Sequence, residues 1–397
     1  MTSMTDSRRS YGYGTPRRRE GGFSLVELMI ASTLGLLILT TMITVFVSTS
    51  QTRNEVDKSN RQIENGRFAV QMLREDIQLA AFYGDYLPTN PPTAVITWTV
   101  PDPCALILNN MGFTTGNVPV GIQGYPDTVT TGAGEPACLA NRKAATDILV
   151  IRRVSTKQLR IDADENGTAD TNVTNEDGTA GVALASLGGA YYFQSSNCSD
   201  TPAEVSYVMA MTPASFVLHG VKPTGTPASC MNGGLAPVRQ YFVRIYYIAT
   251  CNNCSGGGDG IPTLKMVELT PGTSACMTDP AAACGSMTTQ AIADGIENLQ
   301  FEYGAETLAD GTIPTPGTPA RYLVAPAAAD WPYVLTVKIF LLARNTEVTA
   351  DYTDSKTYSL ASDGSTLTGT PFNDHYKRHV YAATVRAINI GGRRGGT

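Results

Sequence analysis

An uninterrupted apolar run near the N-terminus constrains this chain more than any other feature. Between residues 23 and 47 the only ionisable side chain is Glu27. About 25 residues in a helix, at a rise of about 1.5 Å per residue, are long enough to cross the hydrocarbon core of a bilayer. Three arginines at residues 17–19 precede the run, and such residues are retained on the cytoplasmic side. The sequence therefore predicts a membrane span, with the bulk of the chain on the far side.

The small residues around this run indicate where the chain would be cut. An ordinary secretory signal is cleaved after its apolar region, at small residues in an A-x-A-like arrangement. Here the run ends in FVST, residues 46–49, which lacks that arrangement, whereas the pair Gly21 and Gly22 lies before the run. Cleavage at the glycines would remove residues 1–22 as a leader and leave the span in place.

The sequence GFSLVEL, residues 22–28, resembles the class III signal of type IV prepilins. In that family a membrane-embedded prepilin peptidase cuts after the glycine and methylates the new N-terminal residue. The resemblance implies cleavage between Gly22 and Phe23, with N-methylation of Phe23. It also implies that Glu27, the fifth residue after the cut, pairs with the N-terminal amine of a neighbouring subunit during assembly.

A second explanation of Glu27 is the electrostatics of a helix N-terminus. The helix dipole favours an anion in the first turns by roughly 0.3 to 1 kcal/mol. A carboxylate within a span costs about 2.5 to 3.5 kcal/mol on insertion scales. The dipole alone does not offset that cost, which favours the pairing role.

The predicted helix continues beyond the membrane as an amphipathic segment, residues 48–84. No proline occurs between residues 23 and 87. Apolar residues recur in heptads, at Val56, Ile63, Val70 and Ile77, with Leu73 and Ala80 three positions after two of them. Charges of both signs, Asp76 among them, are assigned to the opposite side, which is either solvated or packed. Gly66 marks a place for bending, and Gly84 is the expected C-cap.

Residues 85–397 predict a β-rich head domain, periplasmic or extracellular. Charged residues make up only 16% of the chain, which suits a loop-rich secreted β protein. Segments rich in Val, Ile, Tyr and Phe predict strands at residues 147–154, 206–211, 215–218, 240–248, 264–269, 299–303, 333–342 and 380–390. We expect an α+β fold in which the amphipathic half of the helix packs on an antiparallel sheet, with long loops stapled by disulfides.

Three later segments resemble PilW-like minor pilins. They are IADGIENLQFEYG at residues 292–304, the segment 331–344 that ends in LLAR, and YKRHVY at residues 376–381. The chain departs from the family pattern at its end, where INIGGRR, residues 388–394, replaces the Arg-Asn that commonly closes the family. That departure bears only on the terminal contacts.

The resemblance implies a minor pilin of a type IV pilus, a structural protein that primes pilus assembly, sits at the tip and serves adhesion and twitching motility. Implied partners are the prepilin peptidase, other minor pilins, the major pilin and a large tip adhesin. The implied location is the inner membrane, with the N-terminus cytoplasmic, and afterwards the extracellular pilus. Three alternatives stay open: a type II secretion minor pseudopilin of the J class, a tip adhesin or ligand-binding head, and a membrane-tethered periplasmic enzyme.

All eight cysteines lie in the exported part, and their even number predicts disulfides. They are Cys104, Cys138, Cys198, Cys230, Cys251, Cys254, Cys276 and Cys284. Local pairing of Cys104 with Cys138, and of Cys198 with Cys230, is the first expectation. The last four form either two loop-stapling disulfides or a tetrahedral zinc site.

An acidic loop offers a candidate cation site. Asp162, Asp164, Asn166 and Asp170 occupy positions one, three, five and nine of an EF-hand-like loop, with glycine at position six. Position twelve, where a bidentate glutamate is expected, holds Val173. The loop is therefore either a structural calcium site or an ordinary solvated acidic turn, and no other cofactor is expected.

Charge and motifs argue against nucleic-acid binding and catalysis. The chain carries a net charge of −6, and a leader with five arginines against Asp6 and Glu20 leaves −9 on the remainder, so there is no basic footprint for nucleic acid. His375 and His379 are four residues apart but lack the glutamate of a zinc-protease motif. No G-x-S-x-G, Walker A or dinucleotide fingerprint occurs. We expect no catalytic residues.

Overall fold

The helix predicted at the N-terminus is the longest element of the chain. In the computed structural model, which describes residues 21–86, 97–114, 117–128, 134–187, 189–196, 204–220, 234–272, 285–363 and 371–392, helix α1 spans Leu25–Leu79. The chain divides into two compact units, Met1–Asp57 and Lys58–Thr397. The two units are described separately, and the fold is α+β.

The first unit contains the apolar part of α1. Of the helices in the described ranges, α1 alone is long and apolar enough to cross a membrane. Its side chains from residue 25 to residue 54 are exposed. Hydroxyl groups within the apolar part donate to helix carbonyls three or four residues back, from Ser32, Thr33, Thr40, Thr41 and Thr44. The helix therefore satisfies its own polar side chains, as a lipid environment requires.

The second unit contains the β structure and a short helix, α2, Ile388–Gly392. The strands among its described residues are β1 Thr97–Thr99, β2 Asn117–Pro119, β3 Ile122–Tyr125, β4 Ile148–Val154, β5 Leu159–Arg160, β6 Asn172–Asn175, β7 Ala180–Ala183, β8 Tyr192–Ser195, β9 Tyr207–Ala210, β10 Val238–Ala249, β11 Thr263–Pro271, β12 Gly285–Asp294, β13 Ile296–Ala305, β14 Arg321–Leu323, β15 Val334–Arg344 and β16 Arg378–Arg386.

Strand β10 organises the larger sheet. Its residues 244–249 pair antiparallel with β11, and its residues 241–246 pair antiparallel with β4. The start of β10 pairs with β5 and β8, and β12 lies on the far side of β11. A smaller antiparallel sheet follows the order β14-β13-β15-β16. Strands β1 and β2 form a separate parallel pair.

One glycine carries the chain from the larger sheet to the smaller. Gly295 separates β12 from β13 and has a φ of +74°, in the left-handed region that L side chains rarely adopt. A Cβ there would also lie 2.6 Å from the carbonyl oxygen of Arg344. The sheet switch therefore requires glycine at this position.

The C-terminal half of α1 packs on the sheets, as predicted, through a stripe that matches the predicted one only in part, at Leu73, Ile77 and Ala80. Its buried residues are Gln62, Gly66, Ala69, Leu73, Asp76 and Ile77. Two members of the predicted heptads are exposed, Ile63 at 37% and Val56 at 51%. A straight helix drifts about 20° per heptad, so a face that packs on a sheet does not keep a seven-residue period. A Cβ at Gly66 would collide with the Tyr381 ring on β16, so this glycine serves close packing within an unbroken helix.

The helix also ends earlier than predicted, at Leu79 instead of near Gly84. Ala81 adopts a φ of 58°, and its amide donates to the carbonyl of Arg152 on β4 at 3.0 Å. The side-chain amide of Asn389 donates to the carbonyls of Gln78 and Ala80, at 3.2 and 3.3 Å. Tertiary hydrogen bonds therefore set this end, although Gly84 does have a positive φ of 63°.

Two strand predictions were wrong. Residues 215–218 form no strand, because Pro213–Ser215 is a turn of 3₁₀ helix. The last predicted strand stops at Arg386, and α2 follows it. Seven strands of the two sheets were not predicted, namely β3, β5, β6, β7, β8, β12 and β14. The longest of them is β12, whose sequence GSMTTQAIAD lacks the run of Val, Ile and aromatic residues that marked the predicted strands.

Candidate functional site

The predicted cleavage site lies just before the first turn of α1. Gly22, Phe23 and Ser24 precede Leu25, and the structure assigns them no helix or strand. All are exposed, Phe23 at 85%. Among the described residues other than its chain neighbours, no heavy atom lies within 4 Å of the position that a Cβ on Gly22 would take. The described part of the chain therefore does not cover the peptide bond between Gly22 and Phe23.

Glu27 lies in the first turn of α1 and is exposed. The amide of Leu28 donates to the carbonyl of Ser24 at 3.1 Å, which places the glutamate among the first amides of the helix, where the dipole favours an anion. Exposed apolar side chains surround it in sequence, with Leu25 and Leu28 at 75% and 65%. A carboxylate so placed is chemically available to a cation that approaches along the apolar surface.

The acidic loop connects β5 to β6 and brings the three carboxylates of its predicted ligand set together. Oxygen atoms of Asp162, Asp164 and Asp170 lie within 4.8 Å of one another. Asn166, the fourth predicted ligand, lies beside them. Its side-chain amide donates to Asp164 at 2.8 Å, and its oxygen accepts the Thr168 amide at 2.8 Å. Three converging carboxylates are the donor set that a hard cation such as calcium prefers.

Asp162 also has a structural role in this loop. Its carboxylate is buried and accepts the backbone amides of Asn166, Gly167 and Leu235, at 3.1, 2.9 and 2.9 Å. Burial alone raises the pKa of Asp162, but the amides of Leu235, Gly167 and Asn166 outweigh it and hold that pKa below its ordinary value. The charged form is therefore stable there, and it ties the loop to the segment before β10.

Two disulfides lie among the described residues. Cys104 bonds to Cys138, the pairing expected first, and Cys251 bonds to Cys254. The zinc alternative needs Cys251 and Cys254 as free thiolates, so it does not agree with this bond. Cys198, Cys230, Cys276 and Cys284 lie outside the described residues.

A buried ion cluster around Asp76 was not predicted. Instead of facing solvent, the Asp76 carboxylate points at the larger sheet, where it accepts Arg244 at 2.9 Å, Arg153 at 3.3 Å and the Tyr246 hydroxyl at 2.5 Å. Burial lowers the pKa of Arg244, but Asp76 and Glu268 outweigh that effect and raise it. The signal was present in the sequence, since Asp76 is three residues after Leu73 and seven after Ala69.

The three PilW-like segments meet at a second buried cluster. Arg378 on β16 has a side chain with no exposed surface, and it contacts Glu297, Asp354 and Asp374 at 2.5, 2.9 and 2.6 Å. Arg344 lies 3.8 Å from Glu297. Burial lowers the pKa of Arg378, but the carboxylates of Asp374, Glu297 and Asp354 outweigh it and raise that pKa. Glu297, Arg344 and Arg378, one from each segment, therefore link strands β13, β15 and β16. Through Asp354 and Asp374, Arg378 also joins the smaller sheet to the segment before β16.

Asp147 links the two sheets and has a strongly perturbed pKa. It directly precedes β4, and its carboxylate accepts the Phe301 amide of β13 at 2.7 Å. Burial is the main cause that raises the pKa of Asp147 to about 8, with a smaller contribution from Asp127. The carboxyl group is therefore mostly protonated at neutral pH, which suits a structural hydrogen bond in a buried position.

The histidines make structural contacts. His219 lies 2.6 Å from Glu204, and His375 lies 2.5 Å from the carbonyl oxygen of Tyr352. The ring of His379 packs edge-on against Tyr381. His375 precedes β16 and His379 lies within it, so their spacing of four residues does not place them on one face of a helix.

Two protein-family models match the chain. The model described as the prokaryotic N-terminal methylation motif matches residues 17–43, which include Gly22, Phe23 and Glu27. The model described as type IV pilus-assembly protein W matches residues 245–389, which include Glu297, Arg344 and Arg378. No curated protein and no solved structure matches the chain.

Proposed function

We propose that this chain, which matches a PilW-like type IV pilin through both family models, is processed by prepilin peptidase and primes pilus assembly from a tip complex. The matches themselves support a minor pilin, a structural component of the pilus. The observation that carries the proposal is an accessible Gly22–Phe23 bond before an apolar helix, in a chain that also contains the PilW segment. The apolar helix and the motif fit anchoring in the inner membrane before assembly.

The proposed sequence of events follows from the charges of the leader and the span. Retention of the leader arginines in the cytoplasm would direct the second unit to the periplasm. Cleavage after Gly22 would then create a free amine at Phe23, four residues before Glu27. In lipid an unpaired carboxylate is costly, so Glu27 would bind the Phe23 amine of a neighbouring pilin. A separate cytoplasmic ATPase would supply the energy for extraction into the filament.

The partners proposed are the prepilin peptidase, the major pilin, other minor pilins and a large tip adhesin. Each would be reached through a different part of the chain. The peptidase acts on the bond after Gly22, whereas the pilins pack along the exposed apolar surface of α1. Association between such helices depends on close packing and on polar pairs, because lipid removes the hydrophobic drive between them.

Processing is tested by the variant Gly22→Val, with Gly21→Ala as the matched control. We expect intact-protein mass spectrometry of the wild type and the control to show loss of residues 1–22 and one added methyl group. The Gly22→Val protein should keep its full length. A processed mass for Gly22→Val would refute the proposed cut.

The assembly role is tested by Glu27→Gln and Glu27→Ala, with Ser32→Ala as a control in the same apolar helix. We expect both Glu27 variants to be cleaved, yet to be recovered in sheared pili at least about tenfold less than wild type, which corresponds to about 1.4 kcal/mol of lost pairing. Equal recovery of all variants would refute the pairing role. Co-purification of the wild type with secretion pseudopilins, and its absence from pili, would instead support the J-class alternative.

We also propose that the acidic loop binds calcium as a structural ion. Asp162, Asp164 and Asp170 would supply the carboxylate ligands. The bound ion would offset the mutual repulsion of the three carboxylates and stiffen the connection between β5 and β6. The convergence of their oxygens supports this proposal.

A further inference from the structure

A groove lies in the second unit between the C-terminal half of α1 and strand β16. Its volume is about 520 Å³. The helix contributes Arg67, Val70, Gln71 and Arg74, and the strand contributes Tyr381 and Ala382. Any side chain at position 66 would collide with the Tyr381 ring, because the helix approaches the strand closely at one end of the groove.

The two arginines give the groove a positive wall. Arg67 and Arg74 are exposed, and because they are seven residues apart they lie on the same side of the helix, about 10 Å apart along its axis. In the described part of the chain neither has a carboxylate within ion-pair distance, whereas Arg61 on the same helix lies 3.1 Å from Glu347. One acid, Glu75, also lines the groove, and it accepts the Gln71 side-chain amide at 2.9 Å. Both guanidinium groups are therefore open to an incoming carboxylate.

Strand β16 offers backbone hydrogen-bonding groups next to these two arginines. In the described ranges β16 pairs with β15 alone, over residues 378–386. An edge strand presents unpaired N–H and C=O groups, and an extended peptide can add to them as a further strand. Ala382 and Thr384 are exposed on one face of this strand, and their side chains are small.

We propose that this groove receives an extended acidic segment of a neighbouring pilus subunit, which adds to the edge of β16 and directs its carboxylates at Arg67 and Arg74. The inference names a partner chemistry for the proposed function, and it rests on that function for the identity of the neighbour. A nucleic acid is a poorer match, because two arginines beside a glutamate, on a mature chain with a net charge of −9, do not form a track for a polyanion.

Binding is tested on the full-length chain in detergent with a fluorescein-labelled peptide of alternating Glu and Thr. Fluorescence anisotropy should show binding that weakens as salt is raised, and the double variant Arg67→Glu, Arg74→Glu should weaken it about tenfold. Arg61→Glu, on another side of the same helix, is the matched charge control and should change it less than twofold. Unchanged urea unfolding monitored by tryptophan fluorescence confirms that the variants are folded.

Four results would overturn the groove assignment. Three of them are absence of peptide binding, an equal effect of Arg61→Glu, and preferential binding of a single-stranded oligonucleotide at the same arginines. A Lys-Thr peptide that binds as well as the Glu-Thr peptide would also overturn it, because the recognition would not depend on charge.

A second experiment uses cells that assemble pili and separates this inference from the proposed function. A photo-crosslinking residue replaces Gln71, which lines the groove, or Arg61, which is exposed on another side of the helix. Crosslinks from position 71 should map to an acidic segment of another pilus subunit, and position 61 should not give that product. If the wild-type chain is absent from pili, the proposed function fails. If it is present and position 71 yields no acidic pilin segment, only the groove inference fails.

Discussion

Replacement of Asp76 by alanine should remove a large part of the stability of the second unit. The carboxylate is the shared partner of Arg153 on β4 and of Arg244 and Tyr246 on β10. Its side chain is 5% exposed, and those of Arg153 and Arg244 are 10% and 21% exposed. Deletion of the acid would therefore leave two cations and a hydroxyl in a setting that water reaches poorly.

The size of the loss in unfolding free energy depends on the contacts that Arg244 and Arg153 keep without Asp76. Arg244 keeps Glu268 at 2.8 Å, and Arg153 keeps the ring of Phe242, with 5.2 Å between its guanidinium carbon and the ring centroid. Removal of one member of a buried ion pair costs about 3 to 5 kcal/mol, because the other charge remains buried without compensation. We expect a loss in this range for Asp76→Ala. Asp76→Asn keeps an acceptor for Tyr246 and should cost less, about 1 to 3 kcal/mol.

The assay is urea unfolding of the full-length chain in detergent, monitored by tryptophan fluorescence. Trp331 is buried and packs edge-on against Tyr303, so its emission reports on the smaller sheet. Glu75→Ala is the matched control, because Glu75 is the exposed neighbour of Asp76 and should change the unfolding free energy by no more than about 0.5 kcal/mol. An Asp76→Ala protein within about 1 kcal/mol of this control would refute the argument.

Two further predictions concern pH and calcium. Because the pKa of Asp147 is raised to about 8 in the folded chain, its contribution to the free energy of unfolding is full below pH 4. That contribution is lost as the pH rises to 8, and the free energy of unfolding falls by up to about 1.4 kcal/mol per pH unit. Asp147→Asn should abolish this component in urea titrations at several pH values, and an unchanged slope would contradict the burial argument. Calcium at about 100 times its Kd should stabilise the wild type by about 2.7 kcal/mol, and EGTA should reverse this. Asp164→Ala should remove this stabilisation by calcium, whereas the control Asp177→Ala, which lies outside the ligand set, should keep it. Equal calcium-dependent shifts of the melting temperature in the wild type and both variants would exclude the site.

Features encoded by neighbouring residues were predicted well. The apolar run, the long helix, the α+β class and seven of the fourteen strands of the two sheets could be read from local patterns of apolar and β-branched residues. The prepilin-type motif is also a short contiguous signal, and a family model matches it at residues 17–43. Strand β12 escaped prediction because its stability comes from pairing with β11, and its own sequence has weak β propensity.

The sequence by itself determined the long apolar helix, the motif before it and the fold class, because each depends on residues close together in the chain. Only the tertiary structure decided which side of α1 is buried, where that helix ends and which charges are paired. Asp76 meets Arg244 across 168 residues of sequence, and Arg378 meets Glu297 across 81. Hydropathy predicts that such charged side chains face solvent. A charge is stable inside a protein only when folding brings its partner to it, and these partners are distant in the sequence.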